Sequence, residues 1–346
     1  MGQWQHLLKQ SIVHPGQLTA RFPGSGAGLE GVVQRYPMLI NPYYLNLIKE
    51  VDDPLWRQAV PDPRELTDVV CPEDPLAEED LSPVPNLIHK YPDRVLFLVH
   101  GQCAMYCRFC TRKRKVGTKR MVITEATIRA GLDYIRQTPA IRDVLISGGD
   151  PLLLPDERID QLLAALRAIP TVEIIRIGSR VPCVLPMRVT RRLVAILKRY
   201  HPLYLNTHFN HPAELTPEAA LACGRLADAG IPLGCQTVLL RGVNDNPEVM
   251  RHLMQGLLCM RVKPYYIFQA DMTRGTNHFR TSVATGLTIM HSLIGHTSGL
   301  ASPTYAIDAP GGGGKIPLVP EYILERGERM VFKNYCGKVC TYLDGE

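Results

Sequence analysis

The 346-residue sequence lacks the features that mark membrane, secreted and fibrous proteins. No apolar stretch reaches the roughly 20 residues that a membrane-spanning helix needs. The start, Met-Gly-Gln-Trp-Gln-His, has no signal-peptide core, and no internal repeat is present. The hydrophobic content of 45% and the charged content of 21% are typical of globular proteins. We therefore expect a cytoplasmic protein that does not contact membranes.

Ten cysteines are present without a secretion signal, which predicts reduced thiols. Three of them form the run Cys103-Ala-Met-Tyr-Cys107-Arg-Phe-Cys110. Thiolates at these spacings can hold three irons of a [4Fe–4S] cube and leave the fourth iron open to a small molecule. A ferredoxin-type electron carrier needs a fourth cysteine in a fitting pattern, and none lies nearby.

Two other interpretations of these cysteines remain, a structural zinc site and simple packing of small apolar side chains. Zinc sites pair two short cysteine or histidine hooks, and no second hook follows at that distance. We therefore favour the open iron–sulfur cluster. The scattered cysteines are expected to be buried small hydrophobes; they are Cys71, Cys183, Cys223, Cys235 and Cys259.

The net charge of +6 is modest, and the densest basic run is 112–115, followed by Lys119 and Arg120. This run has no interleaved aromatic residues and directly follows the cysteine loop. It indicates contacts with small anions and a solvated face, and we do not expect nucleic-acid binding.

From residue 95 onward, strand and helix patterns alternate. The predicted strands are 95–99, 144–146, 173–177, 203–207, 233–239, 262–268 and 304–307. The predicted helices follow Thr124, start at Asp156, cover 190–200, start at Pro217, follow Pro247 and cover 282–294. This order predicts an α/β fold, an open (β/α)6-type partial TIM barrel with an N-terminal helical extension and a short C-terminal tail. The expected segments are the extension (1–92), the barrel (93–309) and a Gly-rich strap with the tail (310–346).

Polar residues follow almost every predicted strand. In order, they are the cysteine loop, Gly148-Gly149-Asp150, Ser179-Arg180, His208 with Asn210 and His211, Gln236 late within the fifth strand, Asp271 and Asp308. Parallel barrels carry their chemistry at the carboxyl ends of the strands. We therefore expect these residues to share one rim.

The run Asp308-Ala-Pro-Gly-Gly-Gly-Gly-Lys315 places a lysine at the end of a flexible strap. A phosphate-binding Walker loop would need Gly at Ala309 and Ser or Thr at Ile316, so that interpretation fails. Lys315 is better interpreted as a nucleophile toward an aldehyde cofactor, and an exposed linker lysine is the alternative.

Together these stretches resemble the lysine 2,3-aminomutase family of radical S-adenosylmethionine enzymes, from about Pro42 to Tyr342. The matching stretches include Asp74-Pro-Leu, Ser82-Pro-Val-Pro, Tyr91-Pro-Asp-Arg94, Arg176-Ile-Gly-Ser-Arg180, Asn206-Thr-His-Phe-Asn-His211, Gln236-Thr-Val-Leu-Leu-Arg-Gly-Val-Asn-Asp245, Pro264-Tyr-Tyr-Ile, His278-Phe-Arg-Thr281 and Gly295-His-Thr-Ser-Gly299. The resemblance implies three cofactors, a [4Fe–4S] cluster, S-adenosylmethionine and pyridoxal 5′-phosphate.

The resemblance also implies a role for each matching residue. Phe109, Gly148, Gly149 and Asp150 would contact S-adenosylmethionine. Lys315 would carry pyridoxal phosphate, with Lys90, Arg94 and Gln236 as further contacts, although the family has arginine where Lys90 stands. Arg112 would bind the substrate carboxylate, as a bidentate guanidinium can.

Asp271 and Asp308 match the two family aspartates that receive the side-chain ammonium of lysine. A free ammonium inside a barrel is costly unless anions pair with it, and two carboxylates supply that pairing. The glutamate-specific relatives lack both acids. The pair therefore favours lysine, or another cationic amino acid such as arginine, although each aspartate alone could cap a loop.

The implied reaction is the interconversion of L-lysine and β-lysine by a 5′-deoxyadenosyl radical and a pyridoxal-mediated 1,2-amino migration. A flavodoxin- or ferredoxin-type donor would supply the electron, and a homo-oligomer is possible. The main rival role is β-lysine synthesis for elongation factor modification. Longer members have a cysteine-rich zinc tail, and Asn246 stands where they have a cysteine, so zinc is not expected. Cys336 and Cys340 would need further ligands to bind a metal.

Overall fold

The computed structural model describes residues 2–345. Four short helices begin the chain, and the body is a nine-stranded sheet whose strand order follows the chain. The helices are α1 (Gln3–Lys9), α2 (Glu30–Arg35), α3 (Pro42–Leu47) and α4 (Pro54–Ala59). The strands are β1 (Leu87–Tyr91), β2 (Arg94–His100), β3 (Asp143–Gly148), β4 (Ile174–Gly178), β5 (Leu203–Thr207), β6 (Leu233–Leu239), β7 (Lys263–Gln269), β8 (Thr304–Ala309) and β9 (Gly314–Leu318).

Strands β2 to β8 are all parallel, whereas β1 and β9 pair antiparallel with β2 and β8 at the two ends of the sheet. Helices cross between successive parallel strands. They are α5 (Glu125–Gln137), α6 (Asp156–Arg167), α7 (Val181–Val184) with α8 (Arg191–Lys198), α9 (Pro217–Asp228), α10 (Pro247–Cys259) and α11 (Val283–Leu293). Six crossovers join seven parallel strands, so the predicted open (β/α)6-type barrel is confirmed.

Local sequence signals explain where the crossover helices begin. The Thr124 hydroxyl accepts from the Thr127 amide before α5, and Thr190 and Ser282 cap α8 and α11 in the same way. Asn246 caps α10 with its side-chain oxygen. The apolar face of α6 buries Ile159, Leu162, Leu163 and Leu166 against a core that runs through the whole barrel.

The strands at the two ends of the sheet were not predicted from the sequence. Residues before 92 were expected to be helices and connections, but β1 forms a hairpin with β2 in which Tyr91 pairs with Arg94. Residues after 310 were expected to be a loop and tail, but they form β9 and a second, three-stranded antiparallel sheet. This sheet contains β10 (Ile323–Glu325), β11 (Arg329–Lys333) and β12 (Val339–Leu343). Short strands beside Pro and Gly carry weak local signals.

Both predicted segment boundaries fall inside hairpins of one sheet. The 92/93 boundary separates β1 from β2, and the 309/310 boundary separates β8 from β9. The division into three segments stays a prediction. No helix within residues 2–345 is long and apolar enough to span a bilayer.

Two helical glycines test how tightly the helices pack on the sheet. A Cβ atom on Gly131 of α5 would lie 2.4 Å from the buried ring of Phe97, whereas one on Gly224 of α9 would meet nothing within 4 Å. We expect Gly131→Ala to lower the free energy of unfolding by about 1–3 kcal/mol through overpacking. Gly224→Ala, the control, should raise it by about 0.5–1 kcal/mol because alanine favours helix. Denaturant unfolding measures both; equal effects would contradict the packing described here.

Candidate active site

The three cysteines lie on the loop that follows β2, and backbone hydrogen bonds fix this loop to the N-terminal segment. The Tyr106 amide donates to the Leu39 carbonyl (3.0 Å), and the Arg108 amide donates to the Gln58 carbonyl (2.9 Å). The Cys110 amide donates to the Cys107 carbonyl (3.2 Å), which turns the chain between the second and third thiols. These backbone hydrogen bonds hold the loop in its shape.

A buried charge cluster of Glu65, Arg108 and Lys113 anchors the same loop. Arg108 donates to both carboxylate oxygens of Glu65, from Nε at 2.9 Å and from Nη2 at 2.5 Å. Lys113 Nζ donates to Glu65 Oε2 and to the carbonyls of Arg108 and Gly275, each at 2.9 Å. Burial lowers the pKa of Lys113 to about 8, against the opposing charge of Glu65. Three contacts therefore hold Lys113 beside the loop and join the loop to residue 275.

The thiols fit an iron–sulfur cluster by their chemistry. Burial raises the pKa of Cys110 to about 11 and holds the pKa of Cys103 well above its usual value. Such thiols stay protonated until a metal cation displaces the proton. Within residues 2–345 no three His, Cys, Asp or Glu side chains converge on one ion. A cubane instead requires one thiolate for each of three irons.

Gly148 and Gly149 allow the end of β3 to approach the cysteine loop. A Cβ atom on Gly148 would lie 2.3 Å from the His100 carbonyl oxygen, and one on Gly149 would lie 2.3 Å from that of Gln102. Gly148 also has a φ of 139°, which side-chain-bearing residues rarely adopt. Any other residue here would push the two loops apart.

Asp150 organises the neighbouring strand end. Its carboxylate accepts from the Ser179 hydroxyl (2.7 Å), from the amides of Arg180 (2.8 Å) and Val181 (3.1 Å), and from Leu152. Burial raises the pKa of Asp150 to about 6 even though these hydrogen bonds oppose the shift. The side chain is therefore engaged inside the protein.

Arg180 connects the cysteine loop to the segment that follows β5 and to α4. Its Nη1 donates to the Cys107 sulfur (2.7 Å), and its Nη2 donates to Glu214 (2.8 Å) and Gln58 (2.6 Å). The guanidinium lies 5.2 Å from the centre of the Phe109 ring, which in turn packs 5.5 Å from His208. Burial and the Arg180 charge lower the pKa of His208 to about 3, so this imidazole is neutral.

Lys315 stands opposite Asp308 in the β8–β9 hairpin. Asp308 accepts from Lys315 Nζ (3.1 Å) and from Lys90 Nζ (3.4 Å), and so lies between two cations. The Lys315 backbone amide also donates a hydrogen bond to the Tyr91 hydroxyl (3.0 Å). The Lys315 side chain is 35% exposed and is therefore within reach of a soluble cofactor.

Asp271 lies close enough to Asp308 for the two charges to interact. Protein atoms surround it on most sides although its side chain keeps some solvent contact. Burial, followed by the charge of Asp308, raises the pKa of Asp271 to about 7. Two neighbouring acids with one raised pKa form a site that an incoming cation would stabilise.

Two further residues predicted to bind pyridoxal phosphate, Arg94 and Gln236, lie on β2 and β6. Arg94, the first residue of β2, pairs with Asp93 (2.7 Å) and lies 3.9 Å from the centre of the Tyr91 ring. Gln236 lies on β6 across from Tyr266 of β7. The structure therefore brings Lys90, Asp271, Asp308 and Lys315 together, whereas Arg94 contacts its own hairpin.

Arg112 forms a two-point ion pair with Glu78. Its Nε donates to Oε2 (2.8 Å) and its Nη2 donates to Oε1 (2.5 Å), with both side chains largely buried. Glu78 was not predicted from the sequence, and neither were Glu65 and Glu214. These three glutamates pair with Arg112, Arg108 and Arg180, and no local pattern connects residues 34 to 43 positions apart.

Three cysteines that would leave one iron of a cluster without a protein ligand lie at the carboxyl edge of a parallel barrel. A glycine-rich strand end lies beside them. Together these features define the radical S-adenosylmethionine class. Residues 98–254 match the Radical SAM superfamily model. Residues 290–346 match the family model described as Lysine-2,3-aminomutase.

Curated relatives identify the family within that class. The chain is 52% identical to "L-lysine 2,3-aminomutase" of Methanococcus maripaludis, over 91% of this chain and 74% of the relative. It is 51% identical to "L-lysine 2,3-aminomutase" of Acetoanaerobium sticklandii, over 98% and 84%. It is 46% identical to "Glutamate 2,3-aminomutase" of Clostridioides difficile, over 91% and 76%. The chain belongs to the lysine 2,3-aminomutase family.

Membership of this family makes the chain an isomerase of the radical aminomutase type. Its cofactors are a [4Fe–4S] cluster, S-adenosylmethionine and pyridoxal 5′-phosphate, as the sequence predicted. The substrate is a small molecule.

The raised pKa of Asp271 predicts a pH-dependent cost to folding. The group is penalised when it is ionised in the folded state. The penalty therefore begins above the unfolded pKa of about 3.9 and is complete only above the folded pKa of about 7. In cofactor-free protein, we expect Asp271→Asn to raise the free energy of unfolding by about 2 kcal/mol more at pH 8 than at pH 5. Denaturant titrations at both pH values measure this, with the half-exposed Asp133→Asn on α5 as control. An increase in the free energy of unfolding that is the same at both pH values would contradict the raised pKa of Asp271.

Proposed function

We propose that this chain is a lysine 2,3-aminomutase that interconverts L-lysine and β-lysine. The single observation that carries the proposal is the acid pair of Asp271 and Asp308 beside Lys315, at the rim that also holds Arg112 and the cysteine loop. When bound, the cluster and S-adenosylmethionine supply a 5′-deoxyadenosyl radical, and pyridoxal phosphate supports the 1,2-amino migration. The protein binds, orients and shields the reacting groups.

Cys103, Cys107 and Cys110 would hold the cluster. The prearranged loop and the protonated thiols support this assignment, since iron binding would release their protons. Gly148 and Gly149 would bring backbone groups to S-adenosylmethionine beside that loop, and Phe109 would line the same space.

Asp150 supports the S-adenosylmethionine site through its neighbours. Its carboxylate is occupied by Ser179 and by the amides of residues 152, 180 and 181. We therefore assign it the task of orienting the end of β4, next to Arg180, and not direct contact with the cofactor.

Lys315 would carry pyridoxal phosphate, with Lys90 and Arg94 toward the phosphate and Gln236 as a further contact. Lys315 Nζ must lose a proton before it can act as a nucleophile. Asp308 Oδ2, 3.1 Å away, is the nearest acceptor for that proton. With that proton passed on to solvent and Lys315 joined to the cofactor, Asp308 would keep Lys90 (3.4 Å) as a partner and could also accept from the substrate ammonium.

The substrate would be held at both ends, by Arg112 at the carboxylate and by Asp271 with Asp308 at the side-chain ammonium. A carboxylate side chain such as that of glutamate would meet two acids and be repelled. The acid pair therefore favours a cationic amino acid, with lysine first and arginine as the alternative. β-Lysine formed here could also serve elongation factor modification, which needs the same chemistry.

The proposal also covers the electron donor, the cellular location and the oligomeric state of the protein. We propose a flavodoxin- or ferredoxin-type electron donor, because the family's cluster must be reduced before it acts. We also propose a cytoplasmic location, supported by ten cysteines that all remain free thiols. The last part of the proposal is that the chain can assemble with further copies of itself.

A substrate panel tests the proposed function. Reconstituted enzyme with all three cofactors and a chemical reductant is incubated without oxygen with L-lysine, L-arginine or L-glutamate, and the products are identified by mass spectrometry. We expect β-lysine from lysine and no product from glutamate. Cys107→Ala, which should lose the iron cube, is the inactive control. Activity on glutamate alone would overturn the interpretation of the acid pair.

A further inference from the structure

We propose that Glu78 is a positioning residue for the substrate carboxylate, which it serves by holding one edge of the Arg112 guanidinium and leaving the other edge free. The inference rests on the proposed function, in which Arg112 binds that carboxylate. Neither the family motifs nor the position of Glu78 in the sequence indicates this role.

Glu78 binds the Arg112 guanidinium along the edge formed by Nε and Nη2. Glu78 accepts from Arg112 Nε (2.8 Å) and Nη2 (2.5 Å), so it uses two N–H groups along one side of the fork. The N–H groups on Nη1 and the second one on Nη2 form the remaining edge, which has the geometry for another bidentate carboxylate. One guanidinium can thus bind a protein carboxylate and a substrate carboxylate at the same time.

The orientation of Arg112 matters because its side chain is long and rotatable. The side chain is 15% exposed and that of Glu78 is 9% exposed, so the pair is largely shielded from water. In such surroundings a two-point, charge-assisted contact fixes the plane of the guanidinium. Without it, Arg112 would have to lose rotamer freedom each time a substrate binds.

Glu78 itself lies in a hydrogen-bonded turn. The Glu79 amide donates to Asp74 Oδ2 (3.0 Å), and the Leu81 amide donates to the Ala77 carbonyl (3.0 Å). The Ser82 hydroxyl closes the turn by donating to the Glu78 carbonyl (2.6 Å). These contacts define the 74–82 turn.

The 74–82 turn also touches the strap that ends at Lys315. The Gly311 amide donates to the Pro75 carbonyl (2.8 Å), and a Cβ atom on Gly312 would lie 2.8 Å from Leu81. A single turn therefore contacts Arg112 on one side and the Lys315 strap on the other. In the proposed function Arg112 would bind the substrate carboxylate, and the amino group on the same carbon would react with the pyridoxal phosphate that Lys315 carries. The turn sets the separation between Arg112 and the Lys315 strap.

Competition is the opposite possibility. If Glu78 only occupied the place of the substrate carboxylate, its removal would free Arg112 and tighten substrate binding. Positioning predicts weaker binding after removal. The two accounts differ in the sign of one measured change.

The experiment compares L-lysine with L-lysinamide, which lacks the carboxylate. Holoenzyme without reductant cannot turn over, so equilibrium affinities are measured from the pyridoxal absorbance as each ligand is added. We expect Glu78→Gln to weaken lysine binding at least roughly tenfold, as for loss of a charged hydrogen bond. Lysinamide binding should change less than about twofold. With reductant, KM for lysine should rise more than kcat falls.

Glu79→Gln is the matched control, because Glu79 lies in the same turn, has an exposed side chain and pairs with Arg114 and Lys115 instead of Arg112. It should leave both affinities unchanged. Glu78→Asp keeps the charge but shortens the side chain, so it should show the same lysine-selective loss to a smaller extent. It replaces Glu78→Gln if that variant does not fold or does not load pyridoxal phosphate.

Three results would overturn the role of Glu78: tighter lysine binding, unchanged lysine binding, or equal losses for lysine and lysinamide. Failure of the underlying proposed function gives a different result. In that case the wild-type enzyme itself would not distinguish lysine from lysinamide, and Arg112→Lys would leave lysine affinity unchanged.

Discussion

Three buried glutamate–arginine pairs hold the active-site rim in place. Glu65, Glu78 and Glu214 bind Arg108, Arg112 and Arg180, and each arginine lies in or beside the cysteine loop. Burying such pairs contributes little net stability, but removing one partner leaves an uncompensated buried charge, which costs about 3–5 kcal/mol. The pairs therefore act mainly on geometry. Glu65 and Glu78 tie the loop after β2 to the N-terminal segment, and Glu214 joins the segments that follow β4 and β5.

A second group of charged side chains surrounds Lys315. Asp308 is shared by Lys90 and Lys315, whereas Asp271 has a pKa raised to about 7 by burial and by Asp308. The cofactor-free protein thus holds an acid that is poorly compensated in the folded state. Binding sites often retain such a cost, because the ligand that removes it is bound more tightly for that reason. A cationic substrate side chain would meet this need.

Much of the fold and site could be predicted from the sequence, because the signals were local. The threonine and serine caps, the prolines at helix starts and the apolar strand runs gave the barrel and the rim. The elements that were missed depend on distant partners. Strand β1 and strand β9 are short and lie beside Pro or Gly, and they form because the sheet edges offer pairing. The buried glutamates could not be assigned, since their partners lie 34 to 43 residues away. The hydrogen bonds of Asp150 with Ser179 and the Arg180 amide could not be predicted for the same reason, and its contact with S-adenosylmethionine stays a prediction.

The central claim is that Lys315, opposite Asp308, is the residue that binds the aldehyde of pyridoxal phosphate. The most direct measurement is borohydride trapping of the pyridoxal-loaded protein, followed by proteolysis and mass spectrometry. Wild-type protein should carry one reduced pyridoxyl group on the peptide that contains Lys315, and Lys315→Ala should carry none. A pyridoxyl group on Lys90 or on another lysine in the wild-type protein, or undiminished trapping in Lys315→Ala, would contradict the account.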